Sequence, residues 1–211
     1  MRAARILAAM LTCAALAAPA LSAKRQPLSA TPDDLSIQAV HNYGACIAET
    51  TPKGAAEALA LDYQAEAYRK KVTALSNGHN DGRCMSWSRI RYSGVLLAGS
   101  MAETLLRTKT DAAHFPNAVA YDESKPAIQA HDTVEYVAMC VVRTDPAKSW
   151  AILSAPPTSP EEKAAMQGIG GTLTNCVPAN QKMALNRPGL RAAIALAAYH
   201  MMLPAAPAQG S

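Results

Sequence analysis

Two heptapeptides in this 211-residue chain follow one formula: CIAETTP from Cys46 and CVVRTDP from Cys140. Each has a cysteine, an aliphatic neighbour, a threonine at the fifth place and a proline at the seventh. Thr51 and Asp145 stand just before Pro52 and Pro146. A side-chain acceptor followed by proline is the signature of a helix N-cap and first helical position. Each phrase therefore predicts the end of one helix, a point of covalent attachment, and the start of the next helix. The correspondence continues downstream. Cys84 follows Cys46 by 38 residues and Cys176 follows Cys140 by 36. A glycine-led apolar stretch comes next in both cases, SGVLLAGSMAETLLR from Ser93 and RPGLRAAIALAAYHMML from Arg187. Self-similarity at an offset of about 94 residues reads as duplication of one structural unit.

The unit is helical. Alanine, the strongest helix former, is abundant, while β-branched and aromatic residues are sparse. Helix starts are marked at TPDD (Thr31), DTVE (Asp132) and SPEE (Ser159). Apolar residues recur at helical spacing at Ile37, Val40 and Ile47, at Val134, Val137 and Val141, and at Leu190, Ile194, Ala197 and Met201. A third helix leads to the second cysteine of each copy, and GIGG at Gly168, which no predicted strand precedes, either loosens a helix or lets two helices approach closely. The expected fold is all-α, with two tandem disulfide-stapled helical repeats packed with pseudo-twofold symmetry. The expected boundaries are a signal peptide over 1–23, repeat 1 over 31–107, a linker over 108–130, repeat 2 over 131–203, and a Pro- and Ala-rich disordered tail over 204–211.

The N-terminus predicts export. Arg2 and Arg5 precede a short apolar run from Ile6 to Ala17, and small residues before Leu21 and Lys24 offer cleavage sites. Thr12 is a poor residue before a lipid-modified cysteine, so Cys13 belongs to the removed leader. Four cysteines then remain, an even number suited to an oxidising compartment. Of the three connectivities they allow, duplication selects Cys46–Cys84 and Cys140–Cys176. No C-x-x-C or C-x-x-H spacing supports zinc instead. No later segment has 18 consecutive apolar residues, so the mature chain has no predicted transmembrane segment. Without Arg2 and Arg5 the formal net charge falls from +4 to +2. The densest basic run, YRKK from Tyr68, reads as a solvated helix face, and no clustered basic surface suggests nucleic acid.

On the motif C-[IV]-x-x-T-x-P with a downstream cysteine, in two copies, the stretch from Leu35 to Met202 resembles a group of uncharacterised exported proteins of Gram-negative bacteria. The motif is structural. The resemblance implies a stapled helical fold and carries no activity.

Chemistry is thinly marked. His41, His79, His114, His131 and His200 occupy no metal-binding spacing, and no nucleophile-elbow, Walker or dinucleotide motif occurs. His79 and Asp81, in NGHNDGRC, could pair as base and orienter, but Asn-Gly and Asp-Gly mark an exposed turn whose side chains are dispensable. Glu103, inside an apolar helix, could be a buried acid with a raised pKa. An exposed i,i+4 pair with Arg107 is the favoured reading. Either Trp87 or Trp150 could line an apolar ligand groove, and core packing is the favoured reading of both. The functional expectation is a periplasmic or secreted, non-enzymatic protein without catalytic residues, metal or cofactor. It either binds an envelope partner or small ligand, with the seam between repeats as the natural groove, or serves a structural role in the envelope. One alternative is an envelope hydrolase using the loop His/Asp or Glu103. The other is a lipid-binding protein whose helices over 94–107 and 190–203 part around an acyl chain.

Overall fold

A computed structural model describes residues 32–79, 82–85, 92–123, 128–181, 183 and 186–203. The expectations for the leader, for Asp81 and Trp87, and for the C-terminal tail lie outside these residues. The helices are α1 (Pro32–Thr50), α2 (Pro52–Leu59), α3 (Glu66–Gly78), α4 (Gly94–Lys109), α5 (Phe115–Ala118), α6 (Thr133–Thr144), α7 (Pro146–Ser154), α8 (Pro160–Gly168), α9 (Gly170–Cys176) and α10 (Arg187–Met202). The described residues are all-helical, with no strand among them.

Local chemistry explains most helix starts. Asp132 accepts from the Glu135 amide at 2.8 Å, and Ser159 Oγ accepts from the Glu162 amide at 3.1 Å. In both helices the glutamate three residues after the cap reaches back to the amide preceding it, His131 or Thr158, at 2.8 Å. These are reciprocal caps of the capping-box kind. Asp145 caps α7 and Asn186 caps α10. Thr51 differs from expectation. Its hydroxyl makes no cap to α2; it lies 2.9 Å from His79 Nε2.

Four long helices lie side by side in the order α1, α4, α10, α6. The inner two, α4 and α10, are flanked on both sides and are buried almost all round. Close approach depends on small residues. A Cβ on Gly99 would lie 2.5 Å from both Cα and Cβ of Ala192, so α4 and α10 meet there nearly backbone to backbone. A Cβ on Gly44 would lie 2.7 Å from Ser100 Cβ, which sets the approach of α1 to α4. Around these crossings Tyr43, Ile47, Leu97, Met101, Leu106 and Ile194 fill the core. Burying a large apolar side chain of this kind contributes about 1.5–3 kcal/mol. The α4–α10 pair therefore meets at Gly99 and Ala192 rather than enclosing an acyl-sized space there.

Shorter helices pack around this layer. Helix α2 lies against α1, α3 and α4, and α7 lies against α5, α6, α8 and α10. Disulfides join Cys46 to Cys84 and Cys140 to Cys176, with Cα–Cα distances of 5.5 and 5.7 Å. The halves differ between their second helix and their second cysteine. The first half has the single helix α3 and reaches Cys84 beyond it. The second half breaks at Ile169, between Gly168 and Gly170, into α8 and α9. Two glycines flanking one residue weaken helix continuation there. Between α4 and α6, buried Phe115 of α5 packs on Trp150 of α7, with ring centroids 5.0 Å apart.

Candidate functional site

Glu103 is not on an exposed edge. Its side chain is 2% exposed, because α4 is covered by α1 on one side and α10 on the other. Arg107 does bond it, Nη2 to Oε1 at 2.7 Å, and also donates to the Leu153 carbonyl. The dominant partner comes from the other half of the chain. Arg191 of α10 donates Nε to Oε2 and Nη2 to Oε1, both at 2.8 Å, in a two-pronged fork. His41 Nε2 of α1 stands 3.1 Å from Oε1.

Arg191 is itself buried. It donates through Nη1 to Glu162 Oε1 at 2.8 Å and through Nη2 to the Ala155 carbonyl at 2.9 Å. Arg187 extends the chain of charges from Glu162 to Asp34. Burial alone would raise the Glu103 pKa. Hydrogen bonds from His41 and Arg191, together with the Arg191 charge, outweigh burial and hold it below the ordinary carboxylate range. This is opposite to the raised pKa of a functional acid. Burial likewise disfavours the Arg191 charge, but Glu103 and Glu162 reverse that and leave its pKa raised. The network is suited to clamping α1, α4, α8 and α10 together. Its signal in the sequence was one acid, Glu103, and one arginine, Arg191, each set among apolar residues in the body of its helix.

His79 is also buried, not exposed on a turn. It closes α3, with Nδ1 2.7 Å from the Leu75 carbonyl and Nε2 2.9 Å from Thr51 Oγ1. The turn dipeptides around it correctly mark the end of α3. They did not reveal that α2 lies across that end. YRKK behaves as a solvated face at its lysines, where Lys70 pairs with Glu66 and Lys71 with Glu57. Tyr68 turns inward and joins a groove.

That groove encloses about 260 Å³. Its apolar wall is Leu61, Val95, Val134, Ala193 and Leu196; its polar wall is Tyr63, Tyr68, Asp132, Glu135 and His200. The lining thus comes from the α2–α3 connection, α3, the first turns of α4 and α6, and α10. Glu135 organises the polar wall. His200 Nδ1 stands 3.1 Å from its Oε1, and His131 approaches its Oε2 at 2.8 Å through both backbone N–H and Nδ1. His200 Nε2 faces the Leu59 carbonyl at 3.0 Å, so the imidazole ties α2 to α6 through α10. Burial would raise the Glu135 pKa, yet the His200 and His131 hydrogen bonds bring it to about 2. Tyr63 donates to Asp132 Oδ2 at 2.6 Å. Burial raises the Tyr63 and Tyr68 phenol pKa values, keeping both groups neutral.

Among the described residues no three His, Cys, Asp or Glu side chains form a metal-ligand set. The His131–Glu135–His200 group is therefore a hydrogen-bonded cluster. Sequence reading did not single out Glu135 as a site residue, although DTVE placed it at a helix start. What it lacked was the pairing with His200, 65 residues away.

No family model, curated protein or solved structure matches the chain.

Proposed function

We propose that this protein is an exported, non-enzymatic binding protein of the cell envelope, and that its ligand occupies the groove between the two halves. The supporting observation is the lining. Residues 61–95 and residues 132–200 each contribute one side of a concave, mainly apolar space with a few polar groups at its edge. Such composition is typical of small-molecule sites, although about 260 Å³ lies just below the usual range of roughly 300–1,000 Å³. The polar side chains nearest to a catalytic arrangement are engaged with one another. Glu103 is saturated by basic donors, and His79 and His200 commit both ring nitrogens to protein partners.

Export is supported by the leader-like N-terminus and by two disulfides, which persist in oxidising compartments. No described helix is long and apolar enough to cross a membrane. In this reading the halves are diverged copies of one unit. Helices α1 and α2 correspond to α6 and α7, each pair carries one heptapeptide, and α4 and α10 are the paired closing helices. Native mass spectrometry of protein purified from the envelope tests the proposal. A stoichiometric small ligand that is absent from a Val95→Trp variant supports it. A ligand-free protein, or a ligand retained when the groove is filled, overturns it.

A further inference from the structure

The chemistry of the groove narrows its ligand, provided the groove is the binding site. A space of about 260 Å³ calls for a small ligand. Most of the lining is apolar, which calls for an apolar body.

The charged groups decide the head. Asp132 and Glu135 line the groove, and among the described residues neither lysine nor arginine does. His200 is the basic side chain of the lining, and it is committed to Glu135 and the Leu59 carbonyl. Asp132 is solvent-exposed at the N-terminus of α6, and among the described residues it receives the neutral Tyr63 hydroxyl and the Glu135 amide and no cationic side chain of the lining. On the opposite wall α4 begins at Gly94, with no side-chain cap from Ser93. An open helix N-terminus offers about half a positive charge, less than the single charge of Asp132. A carboxylate or phosphate head would meet two acids and no free base. An ammonium head would meet Asp132 with the rings of Tyr63 and Tyr68 alongside, and a carboxylate together with aromatic faces, though not edges, favours a cation.

We infer that the groove between α4, α6 and α10 takes a small apolar amine, held by Asp132 with Tyr63 and Tyr68 at the head and by Leu61, Val95 and Leu196 along the body. The anionic head of a fatty acid is disfavoured by the same residues.

Three probes of similar size and different charge test this: 2-phenylethylammonium, 2-phenylethanol and phenylacetate. Each is titrated by calorimetry at pH 7 into the disulfide-intact protein and into Asp132→Asn and Val95→Trp variants. Asparagine also caps helices, so Asp132→Asn keeps the start of α6. Val95 is 45% exposed, so tryptophan enters the groove without entering the core. The amine is expected to bind at least tenfold more tightly than the alcohol, and phenylacetate is expected not to saturate. Asp132→Asn should reduce amine affinity about tenfold and leave the alcohol unchanged, and Val95→Trp should abolish binding of all probes. Equal binding of amine and alcohol, tighter binding of phenylacetate, or an amine affinity unaffected by Asp132→Asn overturns the cation assignment. If Val95→Trp still blocks binding in that case, the groove remains the site. Absence of saturable binding by every probe, or binding that survives Val95→Trp, overturns the site and the assignment together.

Discussion

Arg191 on α10 grips Glu103 on α4 through two 2.8 Å bonds, in a core where both side chains are no more than 5% exposed. The pair joins the halves of the chain. Removing one member of a buried pair leaves the other charged and unpaired, which costs about 3–5 kcal/mol. Glu103→Ala and Arg191→Ala should each lower stability by that amount in urea unfolding. Arg191→Lys should rescue little, because an ammonium cannot reproduce the fork. A loss below about 1 kcal/mol for both alanine variants would refute the clamp.

Acid stability should depend on Glu135. Its carboxyl sits near 2 in the folded protein against an ordinary value of 4.5. A depressed carboxylate stabilises the fold fully above its unfolded value and loses that contribution as pH falls through its folded one. The wild type should therefore weaken between about pH 4.5 and 2, while Glu135→Gln should show a flatter limb over that window. Urea midpoints across the window measure the difference. Parallel curves for the two proteins would contradict the assignment.

Gly99 should tolerate no side chain without movement. Alanine there would bring Cβ within 2.5 Å of the Ala192 backbone. Overpacking of this kind costs about 1–3 kcal/mol. Gly99→Ala should lower the melting temperature, whereas Gly78→Ala, where a Cβ meets nothing within 4 Å, should not share that overpacking cost. Thermal melts of the two variants compare them directly.

His79 should matter for folding. His79→Ala removes the shared partner of the Thr51 hydroxyl and the Leu75 carbonyl. Leaving a fully buried polar group unpaired costs about 1–3 kcal/mol, and these part-buried partners set the lower end of that range. Chemical denaturation should show a loss in that range, and an unchanged midpoint would restore the view of this residue as a dispensable turn.

The disulfides should act chiefly on the unfolded chain. Closing a loop spanning 38 or 36 residues removes about 4 kcal/mol of unfolded-state entropy in the standard treatment. Cys46→Ser/Cys84→Ser and Cys140→Ser/Cys176→Ser should each lower stability by up to that amount. A non-reduced peptide map should recover both within-half bridges, and a bridge between halves would break the tandem-unit reading.

Helix type and several helix starts were legible in the sequence because their causes are local. Ser159 accepts from the Glu162 amide while Glu162 reaches back to the Thr158 amide, all within five residues, and the glycines of GIGG weaken a helix by themselves. The cysteine pairing was legible because the heptapeptide occurs twice, so one unit constrains the other. Burial of Glu103 and His79 was decided elsewhere. Glu103 and Arg107 satisfy the i,i+4 rule equally well on an exposed face. What buries Glu103 is the placing of α10 against α4, with Arg191 arriving from 88 residues away. His79 sits among turn dipeptides and is covered because α2 brings Thr51 to it. The groove likewise belongs to no single segment: Leu61, Val95, Val134 and Leu196 become neighbours only when four elements pack. Capping and periodicity act over a few residues and are written in the chain. Burial and concavity depend on which helices become neighbours and how closely they approach, as α4 meets α10 at Gly99 and Ala192 and α1 meets α4 at Gly44 and Ser100.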